Sequence, residues 1–144
     1  MDIQAIEQYL FDHIPISKAL GVKVLEVTSD QVILFGEFLN NINHKKTAFG
    51  GSLHAIATLS CWTFLFSRLH HITSEIVIMK STVTFQHSVT RDFQVKAFLS
   101  NSSRWYQFEK VLKAKGKSKI SLRAQIFQNE KPAVEFDGVF AAFQ

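Results

Sequence analysis

Apolar residues at positions 3, 6, 10 and 14 recur every three or four residues, which places them on one face of a helix over 2–13. Pro15 stops it, because the proline ring cannot continue a helix. Residues 17–20 add one more turn before Gly21. Two runs rich in β-branched and aromatic residues, 22–27 and 31–39, flank the turn-forming cluster Thr28-Ser29-Asp30 and predict a hairpin. The run over about 52–70 is apolar nearly all round and predicts a long helix wrapped on most sides. Residues 75–87 alternate instead. Ile76, Ile78, Lys80, Thr82 and Thr84 face one way and Val77, Met79, Val83 and Phe85 the other, so both faces of this strand are expected to be partly covered. Phe93 to Leu99 repeats the alternation through Val95, Ala97 and Leu99. Ser102 or Ser103 then caps a short helix that carries Trp105, Phe108, Val111 and Leu112 on one face and ends in lysines and Gly116. Residues 120–128 and 133–143 close the chain as two more strands.

One long apolar helix among about six antiparallel strands buries its surface only if the sheet curls round it. The expected fold is therefore α+β of the hot-dog type, a curved antiparallel sheet wrapped around a long central helix, with residues 1–144 forming one domain. Edge strands and flat faces of such a sheet are commonly covered by a second copy. A homodimer, or a homotetramer built from it, is expected.

Hydrophobic residues make up 47% of the chain, and it holds 14 phenylalanines; that share excludes disorder and predicts a thick core or a large buried interface. Residues 53–69 approach membrane-spanning length but carry His54, Thr58, Ser60, Thr63, Ser67 and Arg68, too many polar groups to cross a bilayer. The lone cysteine, Cys61, has no partner for an internal disulfide, and the first residues show no basic region ahead of an apolar run. Both observations point to a cytoplasmic protein. The net charge is +4, and Lys110, Lys113, Lys115, Lys117 and Lys119 crowd together. Such a cluster suits phosphates or an acidic partner, and equally plain solvent. Nucleic-acid binding would want exposed aromatics among the lysines, whereas Trp105 and Phe108 share the apolar stripe. No metal site is expected: His70 and His71 complement a helix end, and no convergent set of ligands is spaced to hold an ion.

The most informative stretch is the polar loop 43–52, Asn-His-Lys-Lys-Thr-Ala-Phe-Gly-Gly-Ser, which delivers Gly50 and Gly51 to the start of the long helix. Free N–H groups at a helix N-terminus attract a negatively charged oxygen. Such a pair can polarise a carbonyl for attack by an activated water. Gly50 and Gly51 are the candidate donors, their bland role being close packing of helix on sheet. Asn43 either holds the attacking water or orders its own loop as an Asx-turn. His54, Thr58 and Cys61 fall at i, i+4 and i+7 and share one helix face. Thr58 either orients water or bonds back to the helix, and His54 is either a base or a satisfied interface residue. Cys61 reads as a small buried hydrophobe and Ser52 as a helix cap.

The run from Asn43 to Trp62, N-H-K-K-T-A-F-G-G-S-L-H-A-I-A-T-L-S-C-W, resembles the thioesterase domain of the hot-dog superfamily found at the C-terminus of certain bacterial acetyltransferase-like proteins. G-K-S-K-I-S-L-R-A-Q-I-F from Gly116 and F-D-G-V-F from Phe136 extend the likeness over nearly the whole chain. The resemblance implies acyl-CoA or acyl-carrier thioesters as substrates, no cofactor beyond the CoA moiety of the substrate, and sites at a dimer interface. It also implies roles: Asn43 as the polar residue ahead of the glycines, Gly50 and Gly51 as the carbonyl-polarising pair, Thr58 at the position of the usual helix carboxylate, and His87 where relatives hold the attacking water. Phe49 stands where many relatives carry histidine.

No Asp or Glu occurs between Glu37 and Glu75, so the chain departs from the family pattern at its catalytic base. Gly116, Lys117 and Lys119 are expected to hold the phosphates of CoA or the acidic face of a carrier protein. None of the six glycines builds the phosphate loop of an N-acetyltransferase. The missing carboxylate leaves a rival from another class, a non-catalytic module that binds acyl-CoA or an acyl carrier.

Overall fold

The computed structural model describes residues 1–144. The first amphipathic run forms helix α1, Ile3–His13, and a short turn of helix follows as α2, Ile16–Ala19. The Asp2 carboxylate caps α1 by accepting from the Ala5 N–H at 2.8 Å, and Ile6 and Leu10 are the residues α1 buries. Strands β1, Lys23–Val27, and β2, Val32–Gly36, make the expected hairpin. The second strand ends before its composition suggests. Asn41 is the reason: buried beside α2, its Nδ2 donates to Leu20 O at 2.8 Å and to Glu37 O at 2.7 Å, pulling residues 39–41 into a 3₁₀ turn and off the sheet.

Helix α3, Gly50–Leu69, begins at the first glycine, not at about Ser52. Then come β3, Glu75–Phe85, β4, Phe93–Leu99, helix α4, Trp105–Lys115, and strands β5, Lys117–Gln128, and β6, Lys131–Phe143. Neither serine caps α4, whose N-cap is Arg104 without a side-chain bond; the cap lies earlier, at Asn101, which opens the 3₁₀ turn 102–104 leading into α4 and whose Oδ1 accepts from the Ser103 N–H at 3.1 Å and the Ser103 hydroxyl at 2.7 Å. Gly116 ends α4 in the left-handed region at φ +75°, a conformation that glycine adopts without a Cβ penalty.

The six strands form one antiparallel sheet in the order β1-β2-β4-β5-β6-β3, curved around α3, which packs on five of them. Phe64, Leu65 and Leu69 of the helix meet Leu34, Val95, Leu122 and Phe136 of the sheet in a single apolar core. Arg68 crosses to α4, its guanidinium 4.6 Å from the Trp105 ring centre and 5.1 Å from that of Phe64, a cation–π sandwich that ties the two helices together. No helix is long and apolar enough to cross a membrane.

Strand β3 corrects the alternation read from the sequence. Its register against β6 shifts between Ile78 and Lys80, so an extra residue, Met79, sits in a bulge and every later side chain changes face. Ile76 and Ile78 point toward the helix, and beyond the bulge it is Ser81, not Lys80 or Thr82, that reaches it. Nor are both faces covered: β3 is an edge strand, and of its residues only Ile76 is buried.

Candidate functional site at the start of the central helix

The loop that leads into α3 is fastened at several points. Asn43 Oδ1 accepts from the Lys45 N–H at 2.9 Å and the Thr47 N–H at 3.1 Å, while its Nδ2 donates to Thr47 Oγ1 at 3.0 Å. Lys46 takes a left-handed φ of +61° inside this turn. The Ala48 N–H donates to Val89 O and the Phe49 N–H to Asn41 O. The loop is therefore rigidly aimed, and the Asn43 side chain is spent on aiming it.

Phe49 is the N-cap of α3 and offers no side-chain acceptor. Ser52, expected as the cap, lies inside the first turn and caps nothing. The N–H groups of Gly50, Gly51 and Ser52 consequently have no acceptor within the chain. These are the orphan donors of a twenty-residue helix, where the helix dipole adds partial positive charge. The Phe49 ring lies directly over Gly51, where a Cβ would come within 2.4 Å of its Cε2.

Two cavities flank this helix end. The larger, about 570 Å³, is lined along α3 by Gly51, His54, Thr58 and Trp62, and walled by Ile14, Ile16 and Leu20 on one side and Ile76, Val77 and Ile78 on the other. Trp62 is fixed there by an Nε1–H bond to Ile76 O at 2.9 Å. The smaller, about 300 Å³, holds Gly50, Thr47, Phe85 and His87. The sequence-derived candidates are thus divided between neighbouring cavities, Gly51 with Thr58 and Gly50 with His87, on either side of one helix terminus.

Within the larger cavity Thr58 Oγ1 donates to His54 O at 3.0 Å, the back-bonding that a helical threonine often makes. His54 Nε2 lies 2.9 Å from Ser81 Oγ. Ser81 was not singled out by the sequence; the signal that pointed to it was a histidine on an apolar helix, which requires a polar partner from another element.

Cys61 is fully buried, its Sγ 3.7 Å from Arg123 O, and burial pushes its thiol far above the ordinary range. It is not a nucleophile in the folded chain.

Gly116, Lys117 and Lys119 are not part of this cluster. Lys117 pairs with Phe143 at the end of β6, whereas Phe85, against Gly50, pairs with Val134 near the start of it. Lys119 instead shares a polar cavity of about 380 Å³ with Arg104, Asn101, Gln107, Ser118 and Ser121, and no carboxylate lines it.

The sequence model of the family described as "Putative thioesterase (yiiD_Cterm)" matches residues 3–144. Among solved structures, a protein from Chlorobaculum tepidum TLS is 28% identical, with 98% of this chain and 93% of that chain covered and a TM-score of 0.89. A structure described as a putative thioesterase from Shewanella oneidensis is 23% identical over 99% of this chain and 97% of that one, with a TM-score of 0.82. The E. coli PaaI protein of the phenylacetic acid degradation operon, 13% identical over 99% and 93% with a TM-score of 0.68, shares the fold. A family match that leaves out only the first two residues, joined to a six-stranded sheet curled round one helix, leads to one conclusion: the chain belongs to this thioesterase family and has its hot-dog fold.

Proposed function

We propose that the chain hydrolyses acyl thioesters of CoA or of an acyl carrier protein at the start of α3. The observation that supports this reading best is the row of unpartnered N–H groups at Gly50, Gly51 and Ser52 beside a large apolar cavity. A thioester carbonyl set over that helix end meets donors where negative charge develops as water attacks, each worth about 3 kcal/mol at the transition state. The apolar walls suit an acyl chain, whose burial contributes about 0.8 kcal/mol per methylene.

Thr58 has given its proton to His54 O, so toward the cavity its hydroxyl can only accept, and it is suited to orient a water. His87 stands apart from that water, in the smaller cavity on the Gly50 side. Asn43 acts one step back, through the loop that aims the glycines. Lys119 and Arg104 line a basic cavity suited to the phosphates of CoA or the carboxylates of a carrier; Gly116 and Lys117 lie outside its lining, at the turn from α4 into β5.

The same reading makes the chain a homodimer. One edge of β3 has no strand partner, and Val77, Met79 and Phe85 along it are 47%, 51% and 52% exposed. An apolar, unpaired edge of this length is a template for pairing with a second chain. Sedimentation velocity is expected to give a dimer; a monomer at micromolar concentration would remove this part of the proposal.

A binding module without catalysis is the second reading. The hydrogen bonds that Asn43 and Thr58 spend inside the protein favour it, as does the absence of a carboxylate from the large cavity. Release of free thiol from short, medium and long acyl-CoAs separates the two. Turnover with a preferred chain length is expected; saturable binding without release would establish the module.

A further inference from the structure

Resting on that hydrolytic reading, we propose that His54 is the general base of the site and Ser81 the residue that positions it. Of the residues that line the large cavity, His54 alone is ionisable. It lies one helical turn from Gly51 along the same edge of α3, so its ring and Gly51 line one cavity, at whose end the helix terminus stands. The imidazole is held on two sides, by Ser81 Oγ at 2.9 Å from Nε2 and by the Phe136 ring with centroids 5.8 Å apart. Nδ1 has no hydrogen-bond partner in the protein. A base needs such an arrangement, with one nitrogen tethered so that the ring is oriented and the other left free.

The Ser81 contact has a specific structural origin. Alternation along an unbroken β3 would turn Lys80 toward the helix; the bulge at Met79 brings Ser81 there instead. In the reaction, Nδ1 takes a proton from water as the water oxygen bonds to the thioester carbon and the carbonyl oxygen draws on the Gly50 and Gly51 N–H groups. The carbon–sulfur bond then breaks, and the proton held by His54 passes to the departing sulfur. The products are the free acid and the free thiol. This accounts for a thioesterase whose helix carries no carboxylate.

The test is steady-state kinetics on the best acyl-CoA of the panel. His54→Gln is expected to lower kcat about 100-fold with little change in KM, and added imidazole to restore part of the activity of His54→Ala. Ser81→Ala should lower kcat about 10-fold through misorientation, and Ser81→Thr, which keeps the hydroxyl, should recover it. Thermal melts accompany each variant, and the serine pair carries the test should the histidine variants unfold. A His54→Gln enzyme within twofold of wild type, or a Ser81→Ala enzyme with unchanged kcat, overturns the assignment while leaving the hydrolytic reading intact. A wild type that releases no thiol from any substrate overturns both.

Discussion

Phe136→Ala is expected to lower stability by about 3–5 kcal/mol and the melting midpoint by on the order of 10 °C. Phe136 is fully buried on β6, where it pairs with Ala124 of β5 on one side and Val83 of β3 on the other. Its ring fills the space between sheet and α3, and Gly138 makes room for it: a Cβ there would come within 2.8 Å of the ring. Truncation leaves a void that the neighbours cannot close, because β6 is held in register from both sides and interiors relax only partly. Calorimetry at one fixed protein concentration measures the effect, and Phe136→Leu should recover most of it. A midpoint shift of only a degree or two would show that the helix can resettle on the sheet.

Gly50→Pro is expected to lower kcat by about 100-fold while leaving the melting midpoint nearly unchanged. Gly50 is the first residue of α3, and Phe49 before it is extended at φ −64° and ψ 130°, the conformation a residue ahead of proline prefers. A Cβ at position 50 would meet the Phe85 ring at 3.5 Å, an ordinary contact. The substitution therefore keeps the helix and deletes one N–H. Gly50→Ala, which keeps the donor, is the control and should stay near wild type. Full activity in the proline variant would place the developing charge away from this donor.

Much of the architecture was legible because burial imposes its period on the residues. The spacing of Ile6 and Leu10 marked α1, the all-round apolar run marked α3, and the lysines followed by Gly116 marked the end of α4. The glycine pair and the His54 and Thr58 stripe could be found for the same reason, since polar groups stand out on an apolar helix. What could not be read were choices made across the fold. Asn41 ends β2 by reaching Leu20 and Glu37, and nothing in the local pattern announces those partners. Asn43 could be given two roles, and only the positions of Thr47 and Lys45 showed where its amide is spent. Lys117 and Lys119 lie at the other end of the sheet from the glycines, a separation set by strand register.

The bulge at Met79 carries a lesson about where a site's information resides. A substitution scan along β3 would exchange side chains one at a time and never touch the determinant, which is the bulge between Ile78 and Lys80. Removing one residue there would leave the serine facing the helix by plain alternation, whereas losing the bulge with the residue count kept would turn the serine outward and bring Lys80 opposite Gly138, beneath the imidazole. Chains of this fold that differ only in whether this strand carries the bulge can therefore keep every residue of the helix and still present different chemistry to the same cavity, so a comparison between them has to follow the register before it matches residues.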